Sequence, residues 1–405
     1  MKIPATWQIK RLEKLVQFSS GGTPSKAKQN FWEGNIPWIS AATMHQQKIV
    51  TSALHISEEG LKCGSKLAKK NDLLLLVRGS MLWKKVPICI CKRDVAFNQD
   101  VKALSIQHNV TPIYLLYWFL AHQRFLLNKV VGTGIGAGKL DFDELKALDI
   151  LLPPLPEQKA IANLLSTWDK AIEKTERLIQ AKESSLTGRI QKIMGKQAIE
   201  AKGWPVLNLN DLFTEIKRKV GEKDLTPYSI SAGIGFVSQR EKWGKNISGS
   251  QHKNYTHLKA GEFAYNKGNS KRYQQGCIYL LKEGEICVPN VFISFKPKAK
   301  NVIPEFFEHY FIADYHAREL KRYITSGARS DGLLNLNKKN FFKIMVPCPS
   351  PDEQKAIAEV LTTTQQEINL LKQLAEKYKT QKRGLMQKVL TGEWRIKPEV
   401  VKRYA

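Results

Sequence analysis

Apolar side chains recur at alternating steps of three and four along two stretches of this 405-residue chain. In the first stretch one heptad position holds Leu165, Ile172, Ile179, Leu186 and Ile193, and the alternate position holds Ile161, Trp168, Thr175, Lys182 and Arg189. In the second the same positions hold Leu361, Ile368, Ala375, Lys382 and Val389, then Ile357, Thr364, Leu371, Tyr378 and Leu385. That spacing lays a stripe along one side of a helix and makes a coiled-coil seam. Each helix therefore wants a partner: the other helix, or the globular segment beside it. The first run covers about 37 residues, or roughly 55 Å at 1.5 Å per residue, a length that suits a spacer. Pro153, Pro154 and Pro156, like Pro347, Pro349 and Pro351, interrupt the backbone before each run. Asp352 stands where an acidic cap would satisfy free amides.

Outside these runs the pattern is mixed. Residues 72–77 and 86–90 read as buried strands, and 112–128 as a helix rich in aromatics. Residues 277–281 and 291–295 read as strands of a second segment, with 304–323 as the matching helix. Strands broken by many loops and closed by a late helix predict α/β lobes of mixed α+β character, without a regular βαβ repeat. The chain divides on this reading into a first lobe, 1–152, a helix, 153–198, a second lobe, 199–348, and a second helix with its tail, 349–405.

The two halves are copies. Glu157-Gln158-Lys159-Ala160-Ile161-Ala162 recurs without change as Glu353-Gln354-Lys355-Ala356-Ile357-Ala358, a shift of 196 positions. The same shift carries Gly188 onto Gly384, Pro153 onto Pro349 and Leu140 onto Leu336, while a shift of 197 sets Trp7, Leu12 and Leu15 beside Trp204, Leu209 and Leu212. Residues 20–130 and 215–325 align in no single register. Alike helices with unlike lobes suggest one frame carrying two different readers.

Charge says what they read. The chain has 64 Lys and Arg against 37 Asp and Glu, a net charge of +27. Each lobe carries about ten of those net charges, while the first helix is nearly balanced. Two basic lobes on a nearly neutral connector are the footprint of a polyanion gripped at two points. The six cysteines form no CxxC and read as reduced thiols in or near cores. No stretch has the length of a membrane span, and no leader peptide is expected at the amino terminus.

Candidate contacts lie in polar loops. The first lobe offers Thr23, Ser25 and Lys26 within Ser20-Gly21-Gly22-Thr23-Pro24-Ser25-Lys26, then Arg78, Lys84, Lys85, Asn98, Gln99 and Lys139. The second offers Lys217, Arg218, Lys219, Asn266, Lys267, Ser270, Lys271, Arg272 and Arg329. Glycine lets amides approach phosphates, Lys and Arg neutralise them, and Asn, Gln and Arg read base edges. Gly132-Thr133-Gly134-Ile135-Gly136-Ala137-Gly138-Lys139-Leu140 lacks the spacing of a nucleotide loop and reads as a flexible junction. Pro351-Asp352-Glu353-Gln354-Lys355 mimics a nuclease motif, but its acids are adjacent and at a helix start. The eight histidines form no metal or triad pattern. No catalytic or metal-ligating set is expected in this chain.

Four features taken together carry a family resemblance: Ser20-Gly21-Gly22-Thr23-Pro24-Ser25; Phe263-Ala264-Tyr265-Asn266-Lys267; the paired proline-rich segments ending in Glu-Gln-Lys-Ala-Ile-Ala; and residues 385–394, LMQKVLTGEW. In this order the chain resembles the specificity subunits of type I restriction–modification enzymes over essentially its whole length. The resemblance implies two target-recognition domains, each reading half of a bipartite site on double-stranded DNA. It implies long helices paired antiparallel through Ile161, Leu165, Trp168, Ile172, Ile179 and Leu186 against Ile357, Leu361, Ile368, Leu371, Tyr378 and Leu385. Two methyltransferase subunits and restriction–translocase subunits would be the partners in the cytoplasm, bringing S-adenosylmethionine, ATP and Mg, with no cofactor in this chain. A type IIB-like complex, a stand-alone DNA-binding regulator and a pure scaffold stay open as alternatives. If the helices act as a ruler, inserting one heptad into the first alone will abolish assembly or change half-site spacing. Methylome mapping of the insertion strain checks this, and unchanged spacing with full activity refutes the ruler.

Overall fold

The structure, a computed structural model, describes residues 3–107, 109–134, 136–247, 249–268, 271–324 and 333–405. The chain forms two compact units: Met1–Thr175 with Leu374–Ala405, and Glu176–Gln373. Each holds one lobe together with a part of each long helix. Those helices are Leu155–Met194 and Pro351–Leu390, 40 residues apiece, or about 60 Å each.

In the first unit the core is a five-stranded sheet in the order Val16–Ser20, Val101–Ile106, Leu73–Leu76, Ile88–Cys91, Lys48–Ile49. Leu73 to Leu76 are all fully buried, which is why this strand reads as a continuous apolar run rather than an alternation. A four-stranded sheet beside it contains Ile36–Ile39, Val95–Phe97 and Lys66–Ala68. The expected helix over 112–128 is two helices, Pro112–Ala121 and Gln123–Leu127. His122 breaks it, its ring stacked on Trp118 and its Nδ1 2.8 Å from the Trp118 carbonyl.

In the second unit the sheet runs Phe213–Glu215, Ile293–Pro297, Phe263–Asn266, Cys277–Leu280. Its order and antiparallel pairing repeat those of the first four strands of the first lobe. Leu73 lies opposite Leu104 and Ile90, just as Phe263 lies opposite Phe295 and Leu280. The shift between copies is thus 190 on the central strand and 196 in the helices, so no single register aligns the lobes. Aromatics fill this core: Phe213 packs edge-on to Phe263, Phe295 and Phe307. The late helix is again split, into Pro304–Ile312 and Ala317–Lys321, with Asp314 in a left-handed conformation between them.

The repeated Glu-Gln explains how lobe and helix join. Gln158 is fully buried; its Nε2 donates to the carbonyls of Asn109 and Pro153, and its Oε1 accepts from the Thr111 amide at 2.9 Å. Thr111 caps the aromatic helix, so one side chain ties two helix starts together. Gln354 does the same in the second unit, through Pro349 and the Ile303 amide at 2.9 Å. Beside it, Trp7 Nε1 donates to Glu157 at 2.9 Å, and Trp204 Nε1 to Glu353 at 3.4 Å. In the first unit Arg395 closes on Glu157 with Nε at 2.6 Å and a terminal nitrogen at 2.9 Å.

Several expectations about the helices need correction. The first helix starts at Leu155, with Pro156 inside its first turn, where no amide is needed. The second starts at Pro351 and is capped by Ser350, whose Oγ accepts from the Glu353 amide, not by Asp352. Within the first unit the helices run antiparallel: Trp168 meets Tyr378 edge-on and Asp169 pairs with Lys382, while Glu157 meets Arg395 beyond the helix end. Ile161 and Leu165 join the lobe core together with Met386, Val389 and Leu390, so these positions serve lobe and helix pair at once. Within the second unit Lys182 pairs with Glu367, and Glu183 with Lys372. Of the second helix's seam, Leu361, Ile368, Ala375, Lys382 and Val389 are all buried, and Leu371 and Leu385 half-buried. In the first, Ile179 and Leu186 are buried and Ile172 half-buried, but Arg189 is exposed, since its long charged side chain stays in water.

Four of the six cysteines are buried, but Cys63 is exposed on the helix Glu58–Gly64. Among the described residues no helix is long and apolar enough to cross a membrane. Replacing Gln158 by Ala strips partners from three backbone groups, of which the Pro153 carbonyl is buried and the others partly open to water, and should cost about 2 kcal/mol. Hydrogen exchange at the Thr111 amide and a lowered urea midpoint will show it; wild-type protection there would refute the clamp.

Candidate nucleic-acid interface

Strand order decides where the polar loops emerge. In the first lobe Ser20 lies opposite Lys102, Leu76 opposite Val101, and Ile88 opposite Leu75. The strand Val16–Ser20 therefore ends, Leu73–Leu76 ends, and Val101–Ile106 and Ile88–Cys91 begin, all at one end of the sheet. Every candidate of the first lobe but Lys139 lies in a segment at that end. The Ser20–Lys26 loop is held down by the Gly22 amide on the Phe97 carbonyl at 2.9 Å. A β-carbon on Gly21 would sit 2.1 Å from that same carbonyl oxygen, so only glycine permits the approach. Thr23 Oγ1 donates to Gln99 Oε1 at 2.7 Å, joining two of the loops.

The glycine-rich stretch, expected to be a flexible junction, has paired strands on both sides of Ile135, which lies outside the described residues. Val130–Gly132 pairs with Gly138–Leu140, which pairs in turn with Arg78–Gly79. Lys139 thereby stands opposite Arg78, both exposed. Lys84 and Lys85 follow the short helix Ser80–Trp83 and are exposed, as are Thr23, Ser25, Lys26 and Gln99. Asn98 is not a surface reader: it is buried, and its Nδ2 donates to Asp100 at 3.3 Å, so it braces the loop that Gln99 tips.

The second lobe gathers its candidates in the same way. Asn266 pairs with Cys277, Tyr265 with Ile293, and the Ile216 amide donates to the Ser294 carbonyl at 2.8 Å. Residues 217–219, 267–268 and 271–276 consequently lie at one end of that sheet. Lys217, Lys219, Lys271 and Arg272 are exposed there, and Lys219 Nζ reaches Asn290 Oδ1 at 2.9 Å. Lys267 is half-buried, its carbonyl accepting from the Leu334 amide. Two candidates point inward. Arg218 donates to Glu262 at 2.7 Å and to the His257 carbonyl at 3.0 Å, a partly buried ion pair that fixes the loop. Asn266 accepts from the Gly268 amide at 2.9 Å and shapes its own turn. Ser270 and Arg329 lie outside the described residues.

The exposed cations at these ends favour anions. Burial lowers the Lys102 ammonium below its usual range, and the neighbouring Lys66 lowers it further. The Lys102 ammonium donates to Ser20 Oγ and sits 5.0 Å over the Phe142 ring. Neither lysine was a candidate, although Lys102 interrupts an apolar strand, a signal the sequence carries. His45 and Gln46, exposed before the edge strand Lys48–Ile49, also reach this end and were missed, having no loop motif around them. In the second lobe burial pushes the Asp314 carboxyl up to about 6 against the opposing pull of Arg272. Among the described residues no group of His, Cys, Asp or Glu is arranged to hold a metal ion.

Two like sheets with unlike basic loops at one end of each, carried with long paired helices, define a duplicated DNA-recognition protein. Residues 4–183 and 201–379 match the type I restriction modification DNA specificity domain, and the chain belongs to that family. It is a sequence-specific DNA-recognition subunit of a type I restriction–modification system. The chain is similar to the EcoR124I/EcoR124II specificity subunit of Escherichia coli, 33% identical over 162 residues, a match spanning 40% of each chain. It is 24% identical over 434 positions to the MjaVIII specificity subunit of Methanocaldococcus jannaschii, covering 98% of this chain and 95% of that one. The fold is shared with the type I S subunit from M. genitalium at a TM-score of 0.58 and 17% identity, covering 96% and 98% of the two chains.

Removing one phosphate contact lowers the slope of log K against log salt by about 0.9. Replacing Arg78 and Lys139 together by Ala should flatten that slope by about two and weaken binding equally on all sequences. Anisotropy titrations across a salt series check this; an unchanged slope would show that neither side chain touches a phosphate.

Proposed function

We propose that each lobe reads one half of a bipartite target through the major groove, with loops at the sheet end making phosphate and base contacts. The observation that carries this reading is the convergence, in both lobes, of exposed polar and basic side chains on one end of an equivalent sheet. Arg78, Lys139, Lys84, Lys85, Lys217, Lys219 and Lys271 would neutralise phosphates, while Gln99 and Arg272 have the donor and acceptor geometry to read base edges. Thr23 would act by orienting Gln99.

The helices serve as spacer and as dock for two methyltransferase subunits, to which restriction–translocase subunits add. Supporting this, the helical parts of the second unit leave Leu178, Val360 and Leu370 exposed. The partners supply S-adenosylmethionine, ATP and Mg, and this chain acts in the cytoplasm as a non-catalytic component. The expected outcome is that the purified chain methylates nothing alone, yet confers site-specific adenine methylation on its cognate methyltransferase. Tritiated methyl transfer and sequencing of modified bases measure both. Methyl transfer by the isolated chain, or methylation whose sites do not depend on it, would sink the assignment.

A further inference from the structure

Between equivalent strands the connections match in length: the paired residues Leu73 and Ile90 are 17 positions apart (90 − 73), and so are Phe263 and Leu280 (280 − 263). Each sets a planar side chain outside next to a buried apolar neighbour. In the second lobe Tyr273 is buried and Arg272 lies exposed, its guanidinium 5.3 Å over the tyrosine ring. In the first lobe Leu82 is fully buried and Trp83 is 52% exposed. An indole so open usually finds cover, yet here it stands among the exposed cations Arg78, Lys84, Lys85 and Lys139.

Trp83 is also held still. Its Nε1 donates to the Gly136 carbonyl at 3.0 Å, and its ring lies over Gly132. The glycine-rich stretch that provides both groups is locked onto the turn: a β-carbon on Gly138 would meet Leu82 at 3.0 Å and Val130 at 2.8 Å. The one hydrogen-bond donor of the indole is therefore spent within the protein, and what remains outward is a rigid apolar plane. Such a plane cannot read a donor or acceptor pattern. The apolar feature that the major groove offers is the thymine 5-methyl group.

We propose that Trp83 is a specificity-determining residue of the first lobe, which selects a T·A pair in its half-site by packing the indole on the thymine methyl group. The inference rests on the bipartite DNA reading above and adds a residue and a base to it. Arg272 at the corresponding loop of the second lobe is a guanidinium with several N–H donors where the first lobe has an indole, so the two loops differ in chemistry on a shared frame.

The test replaces each thymine of the target singly by deoxyuridine, which lacks only the methyl group, and measures binding by the full chain with its methyltransferase subunits. One position in one half-site should lose about fivefold to tenfold in affinity. Trp83→Ala should bind the thymine target about tenfold more weakly and lose sensitivity to deoxyuridine at that position alone. Trp83→Phe should keep part of it. The other half-site is the internal control, since unchanged base preferences there show that the variant is folded and docked. Equal deoxyuridine sensitivity in wild type and Trp83→Ala, or a loss of discrimination confined to G·C pairs, overturns the inference while leaving the bipartite reading intact. Absence of any sequence preference in the wild-type complex would overturn both.

Discussion

At the head of each long helix a buried glutamine side chain takes the place of water for backbone groups of the lobe and of the proline-rich approach. Gln158 satisfies Asn109, Thr111 and Pro153, and Gln354 performs the same service for Ile303 and Pro349. The proline-rich approach makes this necessary, because a chain of prolines offers carbonyls without amides to pair them. The lobe is fixed to its helix by polar geometry and not by apolar contact alone, and the sheet end therefore keeps a defined orientation to the helix within each unit. The repeat of Glu-Gln-Lys-Ala-Ile-Ala is the sequence trace of that joint.

The two joints are not equal. Glu157 is buried and would be costly alone, since an uncompensated carboxylate in an apolar site loses its hydration. Trp7 and a two-pronged Arg395 supply the partners, and the arginine comes from the tail beyond the second helix. Glu353 is exposed and manages with Trp204 and Ser350. The first unit thus depends on its own distant carboxy-terminal segment, whereas the second takes its joint from contiguous sequence.

How much of this was legible follows from which signals are local. The helices were legible because a period of 3.5 needs only nearby residues, and their boundaries failed by a few positions because proline fits inside a first turn. The common sheet was not legible: Leu73-Leu74-Leu75-Leu76 and Phe263-Ala264-Tyr265-Asn266 share a place without sharing a pattern. A strand buried on both faces shows no alternation, and insertions move the register from 197 through 190 to 196. The basic loops could be listed from composition, but their convergence is a property of strand order. Asn98, Arg218 and Asn266 show the limit of loop reading, since a polar side chain in a loop serves the loop's own backbone as readily as a ligand.

That limit also locates where variation is tolerable. Glycines 21 and 22 approach Phe97 and Gly64 too closely for any side chain, and Gly138 is wedged against Leu82. These positions hold the loops to the sheet and leave little chemical freedom. The exposed positions between them, Thr23, Lys26, Lys84, Gln99 and Lys139, meet no such restriction. A sheet end built this way can change what it touches without changing how it is held. Two copies of the frame in one chain can then hold unlike loops, as a target with two different halves requires. The lobes' dissimilarity is for that reason a consequence of the clamp and sheet beneath them, not evidence against common origin.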